Sequence, residues 1–331
     1  MFKKNLWICC LMVVCLAVLP GLTGCKNKTK QDPRNFNITA GPDGNLWFTD
    51  NRGNKIGEIS PATGRVTEYK IPTSGSYPIG LAAGPDGNLW FTESTGNKIA
   101  KISPSSGKIT EYNITTQMAA VDGITAGPDG NLWFTEYLGN NIGSIAPETG
   151  AVFEYAIPTG QCGPASIAAG ADGSLWFAEF SGNNIGKIST AGTITEYAVP
   201  TANSYPGAIA AGADGNLWFV EQNSNKIGMI SPATGTITEY AVPTASAGLL
   251  GIAAGPDGNL WFTEQNADKI GKIAPSSGTI TEYDVPGTKA APNEITAGPD
   301  GSLWFTLTGV SKIGKISPAT GKITEYNIPD N

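Results

Sequence analysis

No histidine occurs among the 331 residues. Imidazole is the side chain whose charge changes most readily near neutral pH, so its absence removes the usual general base and the usual nitrogen ligand for a metal. An internal disulfide is excluded as well. Of the five cysteines, Cys9, Cys10 and Cys15 fall in an apolar leader and Cys25 closes it, which leaves Cys162 alone. Basic charge is scarce: 21 lysines and arginines stand against 28 acids, a formal charge of −7, or −9 once Lys3 and Lys4 leave with the leader. Nucleic acid calls for a basic footprint, so it is excluded as a partner. The longest apolar run, Leu6 to Leu19, is about 14 residues where a membrane span needs roughly 20. No window keeps an apolar period of 3.6 long enough for a helix. Phosphate loops, metal-spaced Cys/His sets and nucleophile elbows are missing too. The "DGN" turns hold one acid each, too few for a calcium loop.

The first 25 residues have a positive start at Lys3 and Lys4, then the apolar run, then Leu22-Thr23-Gly24-Cys25. That order predicts a secretory signal. The last four residues resemble the bacterial lipobox. The resemblance implies cleavage before Cys25 and acylation of its thiol, which would hold the mature chain to a membrane outside the cytoplasm. Lys26, Lys28 and Lys30 follow directly and suit anionic headgroups.

Seven tryptophans set the rest: Trp47, Trp90, Trp133, Trp176, Trp218, Trp261 and Trp304, spaced by 43 residues except for one step of 42. Each sits in a version of "GPDGNLWFTE". Periods of this length mark propellers or helical arrays. Within one repeat, residues 81–115, a short apolar segment, "LWFTE", "KIAKIS" and "KITEYNI" are separated by Gly-, Pro-, Asn- and Ser-rich turns. Four strands per repeat and seven repeats predict an all-β, seven-bladed β-propeller with four antiparallel strands per blade. A blade cannot bury both its faces, so each needs neighbours, and the tryptophans are expected between blades. The chain is thus divided into a lipoprotein signal peptide at 1–24, lipidated Cys25 and tether at 25–37, and the propeller at 38–331. Each blade is expected to come from one repeat.

The stretch "ITAGPDGNLWFTE…GNNIGSIAPETGAVFEYAIPT" resembles the repeats of the virginiamycin B lyase (streptogramin B lyase) family, and the likeness runs over residues 36–331. The resemblance implies a seven-bladed propeller. In that family it also implies elimination at the ester of a cyclic depsipeptide antibiotic, assisted by magnesium. The family's chemistry lies where the repeat breaks. Its two histidines align with Leu250 and Asn293, its tyrosine with Phe36, and its two glutamates with Ala291 and Thr308. None of the five is retained, so fold likeness does not carry the activity across.

The acid closing each "LWFTE" recurs as Asp50, Glu93, Glu136, Glu179, Glu221 and Glu264, with Leu307 in the last repeat. One reading is a carboxylate ring at a channel mouth that holds a divalent cation. The other, favoured by identical use in six repeats, is a turn residue accepting hydrogen bonds from the Gly-Asn loop or from Lys55, Lys98 or Lys226. Glutamates in "TEY", from Glu68 to Glu325, are expected to protect the outer edge strand. Binding residues are sought where repeats differ, on loops sharing one face: Arg52, Tyr77, Asp122, Tyr137, Phe180, Tyr205, Asn293 and Glu294, with Met118 and Leu249 nearby. Cys162, in "GQCGP" without a basic neighbour, is expected to be inert.

These residues lead to a monomeric, lipid-anchored propeller that binds a small molecule, peptide or protein without chemistry and without a cofactor. The alternative is a magnesium-dependent C–O lyase or a hydrolase opening a macrocyclic ester or lactone.

Overall fold

The computed structural model describes residues 37–328, which form one ring of seven sheets. The sheets span residues 38–70, 78–113, 121–156, 164–198, 206–241, 249–284 and 292–327, numbered here as blades one to seven. Each sheet holds four consecutive antiparallel strands, so the single-repeat blade is the observed one. In blade three these are the inner strand Val121–Ala126, the second Leu132–Glu136, the third Asn141–Ile145 and the outer Val152–Ala156. Inner strands neighbour one another in order around the axis, and that of blade one touches those of blades two and seven, which closes the ring. Cys25, Phe36 and most of the tether lie outside the described residues.

Period-two alternation assigns the two sides of each second strand. Leu132 and Phe134 point to one side, Trp133 and Thr135 to the other. Trp90, on one side of blade two, packs with Leu132 and Phe134 of blade three in one buried cluster. The same pattern joins Trp304 of blade seven to Leu46 and Phe48 of blade one, so the packing continues across the closure of the ring. Every repeat tryptophan is at most 1% exposed. Each stacks on the tyrosine that follows the outer-strand glutamate of its own blade, as Trp133 does on Tyr155 with centroids 5.6 Å apart. Gly143 faces Phe134 across the sheet, and a Cβ there would run into the ring.

The turns are built from the same residues in each blade. Gly130 takes a positive φ of 81° in the tight turn between inner and second strands, a conformation glycine adopts at little cost. Asp129 in that turn accepts the indole N–H of Trp133 at 3.0 Å. Asn97 and Asn140, also at positive φ, occupy the loops between second and third strands. The Asn97 amide donates to the Thr116 carbonyl, and its oxygen accepts from the Ala119 N–H, so one side chain stitches two loops together.

Candidate binding face

Antiparallel pairing sets which loops share a face. Pro164 at the start of an inner strand pairs with Glu179 at the end of a second strand. The loops entering inner strands and those leaving second strands therefore lie together, and they are termed the loop face. The tight Asp-Gly turns lie at the opposite end, the turn face.

Three of the sequence candidates come together on the loop face. Phe180 and Tyr205 stack with centroids 5.0 Å apart and planes 13° from parallel. Tyr137 tilts against Phe180 at 6.5 Å. Backbone bonds hold the arc: the Tyr137 N–H donates to Ala120 O, and the Phe180 N–H to Gly163 O. Tyr205 sits at φ 53° and is 39% exposed. Arg52 is exposed on the loop of blade one, and Tyr77 is half-buried before the inner strand of blade two.

Asp122 and Glu294 are half-buried on the inner strands of blades three and seven, which line the axis. Burial among those strands pushes both carboxyls up to about 7, and each charge on Glu294 is felt at Asp122. The phenol of Tyr137 is raised by burial, with Asp122 adding to the effect. Asn293 is buried, and its carbonyl accepts the Thr263 hydroxyl. Ala291 and Thr308 meet directly, the Thr308 N–H and hydroxyl both donating to the Ala291 carbonyl at 3.1 and 3.0 Å. The arrangement can hold a flat or apolar group against stacked rings, with two carboxyls at the axis nearby.

The acid series does not form a ring at a mouth. Asp50, Glu93, Glu136, Glu179, Glu221 and Glu264 are all fully buried between strands and loops. The hydrogen bonds they accept are local: Asp50 from the Gly53 N–H, Glu136 from Asn141, Glu179 from Asn184 and Glu221 from Ser224. Neither carboxyl oxygen of Glu93 or Glu264 has a partner among the described residues. Burial raises Glu93, Glu136, Glu221 and Glu264 to about 7 and Glu179 to about 8. The lysines expected beside them go elsewhere. Lys55, Lys98 and Lys226 pair at 2.7 Å with Glu68, Glu111 and Glu239 of the outer strands.

Those outer-strand glutamates do more than guard an edge. Glu111 accepts both the N–H and the hydroxyl of Thr73, a residue of the loop arriving from blade one. Thr116 and Glu154, and Thr201 and Glu239, repeat the contact. The sequence places these pairs 38 residues apart, so the cross-blade role is visible only in three dimensions. Cys162 is buried where neighbouring loops have Ser76, Ala119 and Ser204, and its thiol is pushed far up by burial. No three acids or thiols among the described residues come together as a metal-holding group. Leu138 beside Tyr137, and Val310 in the last blade, are exposed on the loop face and did not stand out in the sequence. Each follows a strand end in an otherwise polar loop, the one signal that could have found them.

The fold is a seven-bladed propeller whose variable loops gather on one face. The virginiamycin B lyase family model matches residues 21–245 and 231–331, and the chain belongs to that family. A solved streptogramin B lyase is 41% identical with a TM-score of 0.80, covering 86% of this chain and 94% of that one. A catalytically inactive histidine-to-alanine virginiamycin B lyase from Staphylococcus aureus, solved with quinupristin, is 41% identical with a TM-score of 0.81, covering 87% and 96%. The extracellular domain of a one component system from B. thetaiotaomicron shares the fold alone, at 15% identity and a TM-score of 0.68, covering 91% of this chain and 42% of that one. A search of curated proteins found no match.

Proposed function

We propose that this chain is a non-catalytic binding member of the family, held by a lipid on Cys25 outside the cytoplasm, with the aromatic arc of the loop face gripping a small molecule or peptide. The observation that carries the reading is the arc itself, Tyr137–Phe180–Tyr205, in a chain with no histidine. Loss of one histidine is the substitution in the inactive Staphylococcus aureus relative, and this chain has none at any position. Ring faces stacked at a rim bind flat or apolar groups without polarising a bond. The six acids of the repeated series are fully buried between strands and loops.

The experiment is a titration with quinupristin, with and without magnesium. Thermal stability reads binding and mass spectrometry reads ring opening. Expected are a rise in melting temperature with ligand, and no product beyond the protein-free rate. Protein-dependent accumulation of opened product would establish the lyase alternative instead. A ligand effect untouched by Phe180→Ala would move the site off the arc.

A further inference from the structure

Four of the five large hydrophobic side chains exposed among the described residues lie on the loop face: Met118 at 75%, Leu138 at 55%, Val310 at 40% and Tyr205 at 39%. The fifth, Phe153, is on an outer strand. Met118 and Leu138 are neighbours, since the Leu138 N–H donates to the carbonyl of Ala119. Met118 holds a positive φ of 52°, a conformation disfavoured for a side chain of its size. An apolar side chain is thus held out in water at a backbone cost, at the tip of a loop. The equivalent tips are Gly75, Gln161, Asn203, Ser246 and Lys289, all at positive φ.

Charge on this face is unlike that of the rest of the chain. Among the described residues, the one carboxylate across the loops entering inner strands and leaving second strands is Asp268, which is used to cap the N–H groups of Lys289 and Ala291. Asp284, at a strand end on the rim, is paired with Lys269 at 2.9 Å. Asp122 and Glu294 stay at the axis, and their raised proton affinity lowers their charge. The exposed charges at the tips are Arg52 and Lys289, both cationic. The turn face carries an aspartate in every Asp-Gly turn, of which Asp86, Asp172 and Asp300 are paired with Lys101, Lys187 and Lys315. In a chain with a net charge of −7, the described loops of this face thus carry little free acid.

The polypeptide also enters the ring from this side. Asn37 precedes the inner strand of blade one, which runs antiparallel to the second strand and starts beside its end, the Asn37 N–H donating to the Thr49 hydroxyl. Upstream in sequence stand Lys26, Lys28, Lys30 and Arg34, with Asp32 the one acid among them.

We infer that the loop face docks on an anionic lipid surface, with Met118 and Leu138 set among the headgroups and Arg52 and Lys289 against phosphates. Apolar tips flanked by cations bind a bilayer interface by burying area and by attraction to anionic lipid, and each cation near the surface contributes separately. Free carboxylates there would be repelled. The propeller would sit loop face down, with its Asp-Gly turns toward the surroundings. This goes beyond the ligand-binding reading and stands whether or not the aromatic arc holds a ligand.

The test places the photoreactive amino acid benzoylphenylalanine at Met118, Leu138 or Thr63 in the full chain. Thr63 is exposed on the turn face and serves as the control. The protein is incorporated into vesicles of phosphatidylethanolamine and phosphatidylglycerol, or of phosphatidylcholine alone, and irradiated. Adducts are identified by mass spectrometry. Expected are phospholipid adducts at 118 and 138 at least tenfold above those at 63, with a severalfold fall on the vesicles lacking anionic lipid. All of these positions are exposed, so folding is retained. Equal yields at 118 and 63, equal yields on the two vesicles, or adducts at 118 only to protein would each overturn the inference.

Discussion

The indole N–H of Trp133 donates to the carboxylate of Asp129, four residues earlier, at 3.0 Å. One bond ties the ring that fills the space between blades to the turn that starts the strand carrying it. The same pair recurs in every blade, as Trp47 with Asp43 and Trp304 with Asp300. Trp133→Ala removes a fully buried ring and is expected to cost about 3–5 kcal/mol. Asp129→Ala removes the acceptor of the indole N–H and of the exposed Asn131 N–H groups, of which only the indole is buried, and should cost about 1–2 kcal/mol. Urea unfolding of the two variants checks the order, and a Trp133→Ala loss below about 1 kcal/mol would contradict the packing.

The carboxyl of Glu93 is buried with neither oxygen bonded among the described residues, and burial raises it from 4.5 to about 7. A carboxyl held more tightly protonated in the fold than in the unfolded chain contributes stability that is full below pH 4.5 and lost as pH rises through about 7. Glu136 and Glu221 share that window, and Glu179 extends it to about 8. The melting temperature is therefore expected to fall between pH 5 and pH 8. Glu93→Gln keeps the shape of the protonated acid and should stabilise by about 1–2 kcal/mol at pH 8, with no gain near pH 4. A flat profile from pH 5 to pH 8 in the parent would show these groups already ionised or solvated.

Glu136 answers a separate question about metals. Its carboxylate is sealed from solvent and holds Asn141. Glu136→Gln is expected to leave any effect of magnesium or calcium on the melting temperature unchanged. A saturable ion-dependent rise that disappears in the variant would make this acid a ligand and restore the metal-dependent reading.

Among the described residues, Glu111 fastens two blades where Glu68 fastens one. Glu111 accepts Thr73 twice and Lys98 once, whereas Glu68 takes Lys55 and leaves its other oxygen unbonded among the described residues. Glu111→Ala should cost about 2 kcal/mol and Glu68→Ala about half of that. Equal losses in denaturant unfolding would place the cross-blade bonds outside the energetics.

Cys25 carries the anchoring expectation. Cys25→Ser removes the nucleophile that a lipid would modify, so the mature chain should leave the membrane fraction or stall in processing. A Cys25→Ser protein cleaved normally and still as firmly bound as the parent would rule out a lipid at this position.

The fold was legible because its signals are local and repeated. The tryptophan period counted the blades, and Gly-Asp-Asn turn chemistry cut each repeat into four strands. The aromatic run in "LWFTE" marked the residues expected between blades. These depend on neighbours within a few residues, and seven copies average out the ambiguity of one. Tyr137, Phe180 and Tyr205 were visible as departures from the repeat, but not as a stack, because they come from three loops whose approach is set by ring closure. The glutamates were the harder case. Asp50 and Glu136 occupy strand ends that look like a rim in one dimension, and the adjoining loops fold over them only when neighbouring blades dock. The partners of Lys98 could not be chosen from the sequence either, since Glu93 and Glu111 are both within reach. Packing decided it by burying Glu93 and turning Glu111 toward Thr73 and the lysine. Local chain stiffness and hydrophobic alternation thus specify the blade, while burial and cross-blade hydrogen bonds, which exist only after the ring closes, specify which charges are free to meet another molecule.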